Sequence, residues 1–312
     1  MREKIVVKAM NLTKKYKQVV ALNQVDITVK KGDIYGLVGN NGAGKTTFLK
    51  MLTGQIQPTD GQLNLLDAQS ETEMNHVRRK IGAIIETPSF YPNLSIEKNL
   101  EYYRIQRGIP GKKAVTKALE EVGLLEVKKR KYSALSLGMK QRLGLALALM
   151  GEPEVLILDE PINGLDPSGI IEIRNLLLKL NREKYITILI SSHILMELEN
   201  VASHYGFLDK GKIKEEISAE KLKEKCTNYL ELKVTDAEKY AALLELKLNC
   251  KDYKVLSGNC IQIMNVKDRE ENLSDYSALA IKNDIGLLSM DMRKIDLENY
   301  YMNLISGIRE ER

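Results

Sequence analysis

Gly39-Asn40-Asn41-Gly42-Ala43-Gly44-Lys45-Thr46 fits the pattern G-x-x-x-x-G-K-[ST]. Glycines at this spacing let the backbone turn tightly and aim its N–H groups at phosphate oxygens. The following helix adds the positive end of its dipole. Lys45 can neutralise terminal phosphates, and the Thr46 hydroxyl suits Mg²⁺, a cation that takes oxygen ligands. A second constellation is Val155-Leu156-Ile157-Leu158-Asp159-Glu160, four apolar residues ending in two carboxylates. A buried strand would deliver both acids to its carboxyl end, where ligands of open α/β sheets bind. Asp159 suits a magnesium ligand, through water, and Glu160 a general base that polarises an attacking water.

These groups need a scaffold. Residues 5–10 and 25–30 alternate apolar and polar and are predicted strands, and Ile34–Val38, Ile81–Ile85, Val155–Leu158 and Thr187–Ile190 are short apolar runs that suit buried strands. Helices are predicted from Thr46 to Leu52 and from Ser168 to Arg182. Residues 89–150 are mostly helical in pattern: Ser95 can cap Ile96–Gln106, Lys112–Val122 is amphipathic and Ser136–Met150 is strongly apolar. Gly206–Ile213 resembles a hairpin. Strands alternating with helices imply a largely parallel sheet covered on both faces. Beyond residue 229 the pattern changes to strand Tyr229–Val234, helix Asp236–Leu248, strands Tyr253–Leu256 and Ile261–Asn265, helix Glu270–Lys282 and strand Gly286–Met292. That βαββαβ order is ferredoxin-like, and a final helix spans Asp296–Ile305. The expected division is 1–217 and 218–312, with 89–150 as a helical subdomain of the first part.

Composition narrows the function classes. At 312 residues with 44% hydrophobic and 29% charged content, the chain is a globular protein rather than a disordered tail. Of 47 Lys+Arg and 42 Asp+Glu, residues 218–312 hold 15 and 17, which leaves 32 and 25 in the first 217. The basic excess there suits an anionic ligand or an anionic membrane surface, or simply a solvated face. Cys226, Cys250 and Cys260 fit no metal spacing, and an odd number of thiols suits a reducing cytoplasm. Neither a signal peptide nor a stretch near the ~18 apolar residues of a membrane span is present, so any membrane role is expected to come through a partner.

The remaining motifs carry a family resemblance. Leu135-Ser136-Leu137-Gly138-Met139-Lys140-Gln141-Arg142 resembles the L-S-G-G-Q-x-Q-R signature of ABC-type ATPases and precedes Asp159 by 23 residues, close to the family's spacing. Asn163-Gly164-Leu165-Asp166-Pro167 resembles the D-loop, and Ser191-Ser192-His193 the strand end bearing the switch histidine. Tyr16 stands where the family places an aromatic that stacks on adenine, and is otherwise an ordinary packed tyrosine. Over residues 4–217 the resemblance implies a P-loop ABC-type ATPase: a RecA-like core, an N-terminal antiparallel β part and a helical subdomain, here followed by a small α+β domain.

The same resemblance implies roles. Nucleotide contacts come from Tyr16, Gly39, Asn40, Asn41, Gly42, Ala43, Gly44, Lys45, Thr46 and Thr47. Lys45, Glu160 and His193 are the catalytic set, while Thr46, Asp159 and Glu86 hold Mg²⁺. Ser136, Gly138 and Met139 are offered to the ATP of a second subunit in a head-to-tail dimer, an identical chain, with Asp166 at the interface or serving as a helix cap. The implied partner is an integral-membrane permease, with no nucleic acid, and the implied place is peripheral, on the cytoplasmic face of the membrane.

Three positions depart from the pattern: Leu137 replaces the first signature glycine, Met139 the glutamine, and Glu86 the Q-loop glutamine in Ile84-Ile85-Glu86-Thr87-Pro88. Glu86 is either the functional Q-loop residue or a polar strand end. With the signature, it resembles the ATPases of bacitracin- and lantibiotic-resistance exporters, which implies export of an antimicrobial peptide or drug-like compound. A soluble ABC-type ATPase acting on nucleic acid or ribosomes is the alternative. His76 and His204 suit structural roles, and the scattered methionines suit core filling. Residues Met292–Tyr301 resemble a terminal segment of export ATPases.

Overall fold

The computed structural model describes residues 4–86, 89–226, 228–264, 270–294 and 297–306. Thr87 and Pro88 of the Q-loop stretch, and Asn265, Ile295 and Asp296 near the ends of expected elements, lie outside the described residues. The chain divides into two compact units, Met1–Ala219 and Glu220–Arg312. No described helix is long and apolar enough to cross a membrane.

The first unit opens with β1 (Ile5–Tyr16), β2 (Val19–Lys30), β3 (Ile34–Val38), α1 (Lys45–Leu52), β4 (Asp60–Leu65), α2 (Glu71–Val77) and β5 (Ile81–Ile84). Helices α3 (Ile96–Gln106), α4 (Lys113–Glu121) and α5 (Leu137–Leu149) follow. The chain then returns through β6 (Val155–Asp159), α6 (Pro167–Lys184), β7 (Thr187–Ser192), α7 (Leu195–Glu199), β8 (His204–Asp209) and β9 (Lys212–Ser218). Two sheets result, β2-β1-β4 and β5-β6-β7-β3-β8-β9. In the larger sheet every pair is parallel except the β8–β9 hairpin. β3 and β7 are buried throughout, as the unbroken apolar runs of a sheet covered on both faces require.

Helix α1 is wedged where the two sheets meet. Its Phe48, Leu49, Met51 and Leu52 share one core with Leu12, Leu22, Val25 and Ile27 of the small sheet and Leu37, Ile157 and Leu189 of the large one. Each such side chain contributes about 1.5–3 kcal/mol on burial, so the helix start is held by packing from both sides. β5 lies against the last turn of α5: a Cβ on Gly82 would sit 2.4 Å from the Ala148 carbonyl oxygen.

The N-terminal strands are longer than the alternation indicated. β1 continues through Thr13, Lys14 and Lys15 to Tyr16, paired with β2 up to Tyr16–Val19, with register shifts where the alternation breaks. β4 and α2 fall in a stretch that carries no strong period. Yet α2 has a full capping box, Ser70 and Glu73 each satisfying the other's backbone N–H.

After α8 (Ala219–Lys225) the second unit comprises β10 (Asn228–Val234), α9 (Ala237–Leu248), β11 (Tyr253–Leu256), β12 (Cys260–Ile263), α10 (Glu270–Lys282), β13 (Leu287–Lys294) and α11 (Leu297–Ser306). The sheet order is β11-β12-β10-β13 and all pairs are antiparallel, which is the ferredoxin-like arrangement. Alternate residues Leu230, Leu232 and Val234 of β10 meet Tyr240 and Leu244 of α9 and Ala280 of α10 in a separate core. The Tyr240 hydroxyl is satisfied by the Tyr276 carbonyl at 2.7 Å.

Candidate active site

The loop between β3 and α1 has a backbone that only glycine fits. Gly42 and Gly44 have φ of +81° and +113°. A Cβ on Gly44 would also lie 2.6 Å from the Ala21 carbonyl oxygen and 2.7 Å from Leu22, and one on Gly39 would lie 2.4 Å from the Leu208 carbonyl oxygen. The Gly211 N–H donates to the Ala43 carbonyl at 2.9 Å, and the Ala43 N–H to that of Asn40 at 3.0 Å. The loop is thus clamped between β2 and the β8–β9 turn.

Lys45, only 4% exposed, folds back into this loop. Its ammonium donates to the carbonyls of Gly39 (2.6 Å) and Asn40 (3.4 Å) and lies 3.3 Å from Glu160 Oε1. The cation is already desolvated and aimed into the cradle, where a phosphate oxygen would be a stronger acceptor than a carbonyl.

Asp159 ends β6 and Glu160 follows it directly, at the strand end where the sequence predicts the two acids. Asp159 accepts from the Thr46 hydroxyl at 2.6 Å and from the Ser191 hydroxyl at 2.5 Å, one on each carboxylate oxygen. Glu160 adopts φ +47°, a left-handed conformation uncommon for a non-glycine residue. Its backbone N–H donates to both the carbonyl (3.2 Å) and the hydroxyl (3.0 Å) of Ser191, which over-determines the turn. Its carboxylate lies 2.9 Å from His193 Nδ1 and accepts from Asn163 Nδ2 at 3.3 Å. Lys45, Thr46, Asp159, Glu160 and His193 therefore form one contiguous cluster. Ser191 and Asn163, which the sequence reading placed inside motifs without giving them a site role, join it. Their sequence signal is membership of the stretches that carry Asp166 and His193.

Thr46 and Asp159 fit magnesium. Among the described residues no cluster of three or more His, Cys, Asp and Glu side chains could hold a metal. Magnesium needs no such cage, because it keeps several waters and takes phosphate oxygens beside one or two protein donors. A hydroxyl and a carboxylate converging at 2.6 Å provide those donors.

The other motif residues sort by place. Tyr16 ends β1 at the hairpin tip, 44% exposed, with the Lys14 ammonium 5.1 Å from its ring centroid. Ser136 caps α5, accepting from the Met139 N–H at 3.3 Å. The positions of Gly138 and Gly164 abut Leu165 and Leu137 respectively, so the signature and D-loop stretches touch within one chain. Leu137 is nonetheless 50% exposed. Asp166 is the N-cap of α6, accepting from the Ser168 hydroxyl (2.7 Å) and the Gly169 N–H (3.2 Å), which hold its carboxyl below the usual range. Glu86 has φ +64° and accepts from Lys50 Nζ at 2.5 Å.

The profile of the ABC transporter family matches residues 22–163. Along nearly the whole chain, over 302 residues, the sequence is 42% identical to the bacitracin transport ATP-binding protein BcrA of Bacillus licheniformis, covering 97% of this chain and 98% of that one. The chain belongs to the ABC transporter ATP-binding proteins. The lantibiotic transport ATP-binding protein SrtF of Streptococcus pyogenes is 42% identical over 226 residues, 72% of this chain and 96% of that one. Among solved structures, a dimeric ATP-binding cassette in a post-hydrolysis state, bound to ADP and Pi, matches with a TM-score of 0.61 at 27% identity, over 68% of this chain and 98% of that one. The cbiO1 subunit of the cbiONQ transporter of Clostridium perfringens matches at TM-score 0.66 and 25% identity, over 79% and 97%. The chain is accordingly an ATP-hydrolysing subunit of an ABC transporter, and its core is the P-loop ABC fold.

One buried acid stands behind the ABC site. Glu197 of α7 accepts from the Ser192 hydroxyl at 3.0 Å, and that hydroxyl also accepts from the Ile194 N–H at 2.9 Å, bracing the turn that carries His193. Burial pushes its carboxyl above the ordinary range, while the Ser192 hydrogen bond works in the opposite direction. A glutamate raised on folding stabilises fully below its unfolded value, about 4.3, and loses that contribution as pH climbs through the folded value. Glu197→Gln removes the titration. The melting temperature of the variant is expected to gain on wild type as pH rises from about 4.5 to about 7.5; a difference constant across that range would refute the assignment.

Proposed function

We propose that this chain powers export of an antimicrobial peptide of the bacitracin or lantibiotic kind. It would act as a pair of identical chains on a separate membrane-spanning permease, peripherally at the cytoplasmic face, with ATP and Mg²⁺. The observation that carries the substrate class is the likeness to BcrA over 97% of this chain, which extends past the ATPase unit into most of the second unit. We assign the residues as follows. Gly39–Thr47 cradle the phosphates and Tyr16 stacks on adenine. Lys45 draws charge from the β- and γ-phosphates, and Glu160 accepts a proton from the attacking water. His193, beside Glu160, senses the γ-phosphate. Thr46 and Asp159, with Glu86 nearby, would hold Mg²⁺, which would supply positive charge against the phosphates. Ser136, Gly138 and Met139 face the nucleotide of the partner subunit. Asp166 lies at that interface while capping α6. ATP is then shared across two chains, and loss of its γ-phosphate removes the differential contact that closes them.

The test is resistance. Bacteria lacking their own exporter and expressing this chain with its permease are expected to tolerate several-fold more bacitracin or lantibiotic, and Glu160→Gln to abolish the gain. Unchanged sensitivity to both classes, with the pair assembled in the membrane, would refute the substrate class.

A further inference from the structure

Thr46 and Lys50 are four residues apart on α1, one helical turn, and so share a face. Thr46 reaches Asp159 and Lys50 reaches Glu86, at 2.6 Å and 2.5 Å. Neighbours at this spacing have Cβ atoms about 5–6 Å apart, so the partner of Glu86 stands one helical turn along α1 from the partner of Asp159. Asp159, Glu160 and Glu86 are thus each tied to α1, Glu160 and Glu86 through the cations Lys45 and Lys50.

We propose that Lys50 is a positioning residue that pairs with Glu86 and neutralises that carboxylate at the edge of the nucleotide site. A glutamine at position 86 would carry no charge and need no such partner. A glutamate there adds a negative charge, and the α1 lysine cancels it at the point where it arises. The pair also ties α1, which bears the phosphate cradle, to the chain just past β5. Glu86 holds a left-handed backbone conformation there, and the ion pair helps keep it.

The inference rests on the proposed place of Glu86 beside the nucleotide. The experiment measures affinity of the full chain for a fluorescent ATP analogue in EDTA, so that magnesium plays no part, with melting temperatures as a check on folding. Lys50→Met is expected to weaken binding about 3–10-fold, more at low than at high salt. In a Glu86→Gln background the same Lys50→Met change is expected to cost less than about 2-fold, and Lys50→Arg in wild type to retain affinity. An equal cost in both backgrounds would mean that Lys50 acts on the phosphates directly, and no cost in either would mean that the pair is incidental; both overturn the proposal. Failure of the Glu86 placement shows separately, as a Glu86→Lys variant whose ATP affinity equals that of wild type.

Discussion

Glu160→Gln is expected to lower ATP turnover by about 10²–10⁴-fold, the share a positioned general base supplies, while ATP still binds. The amide keeps the shape of the side chain and can still meet Asn163 and His193, but it cannot take a proton. The backbone that aims residue 160 is held by Ser191 through two hydrogen bonds to its N–H, so the substitution leaves the turn in place. Steady-state phosphate release and equilibrium binding of ATP separate the two effects. Undiminished turnover would remove Glu160 from the base role and direct attention to His193.

Lys45→Met is expected to act at the earlier step. Lys45 is the buried cation of the cradle, and its ammonium can be handed from the Gly39 and Asn40 carbonyls to phosphate oxygens. Charge-assisted hydrogen bonds are worth about 1.5–3 kcal/mol each, so loss of two corresponds to roughly 10²–10⁴-fold weaker ATP binding. Glu160 loses its cationic neighbour at the same time, and so the pocket also becomes more repulsive to the triphosphate. Titration with ATP, beside a melting curve, is the measurement. Retained affinity with normal folding would contradict the cradle assignment.

Much of this site is legible in the sequence. The loop from Gly39 to Thr46 is local: glycine backbone freedom and the following helix are properties of eight consecutive residues. The acids at 159 and 160 follow from one apolar strand, because a strand has two ends and ligands gather at its carboxyl end. The second unit declared itself through clean alternation in Leu230, Leu232 and Val234.

What escaped was decided by packing across long sequence separations. Lys50 and Glu86 are joined only because α1 and the end of β5 are brought together, and nothing in either segment announces the other. Ser191 reaches both acids because β6 and β7 are neighbours in register, Asp159 opposite Ser191. β4 is short, and only Leu63 and Leu65 of it face the core, so its alternation gave little signal. Charged residues at 14, 15 and 17 concealed the far half of β1, where the pleat carries lysines into solvent while Leu12 and Thr13 stay buried. Asp166 shows the same limit from another side. The structure displays its capping role directly, whereas a role toward a second chain depends on a surface that a single chain does not complete.

The central claim is that ATP is held between two copies of this chain. It is tested most directly by measuring the molecular mass of the Glu160→Gln protein in solution with Mg-ATP, with Mg-ADP and without nucleotide. A dimer is expected with Mg-ATP alone, and a further Ser136→Arg substitution, which puts bulk and charge where the signature would meet the partner's nucleotide, is expected to return it to monomer. A protein that binds ATP yet stays monomeric at every concentration, or whose dimer is indifferent to nucleotide and to Ser136→Arg, would contradict the shared site.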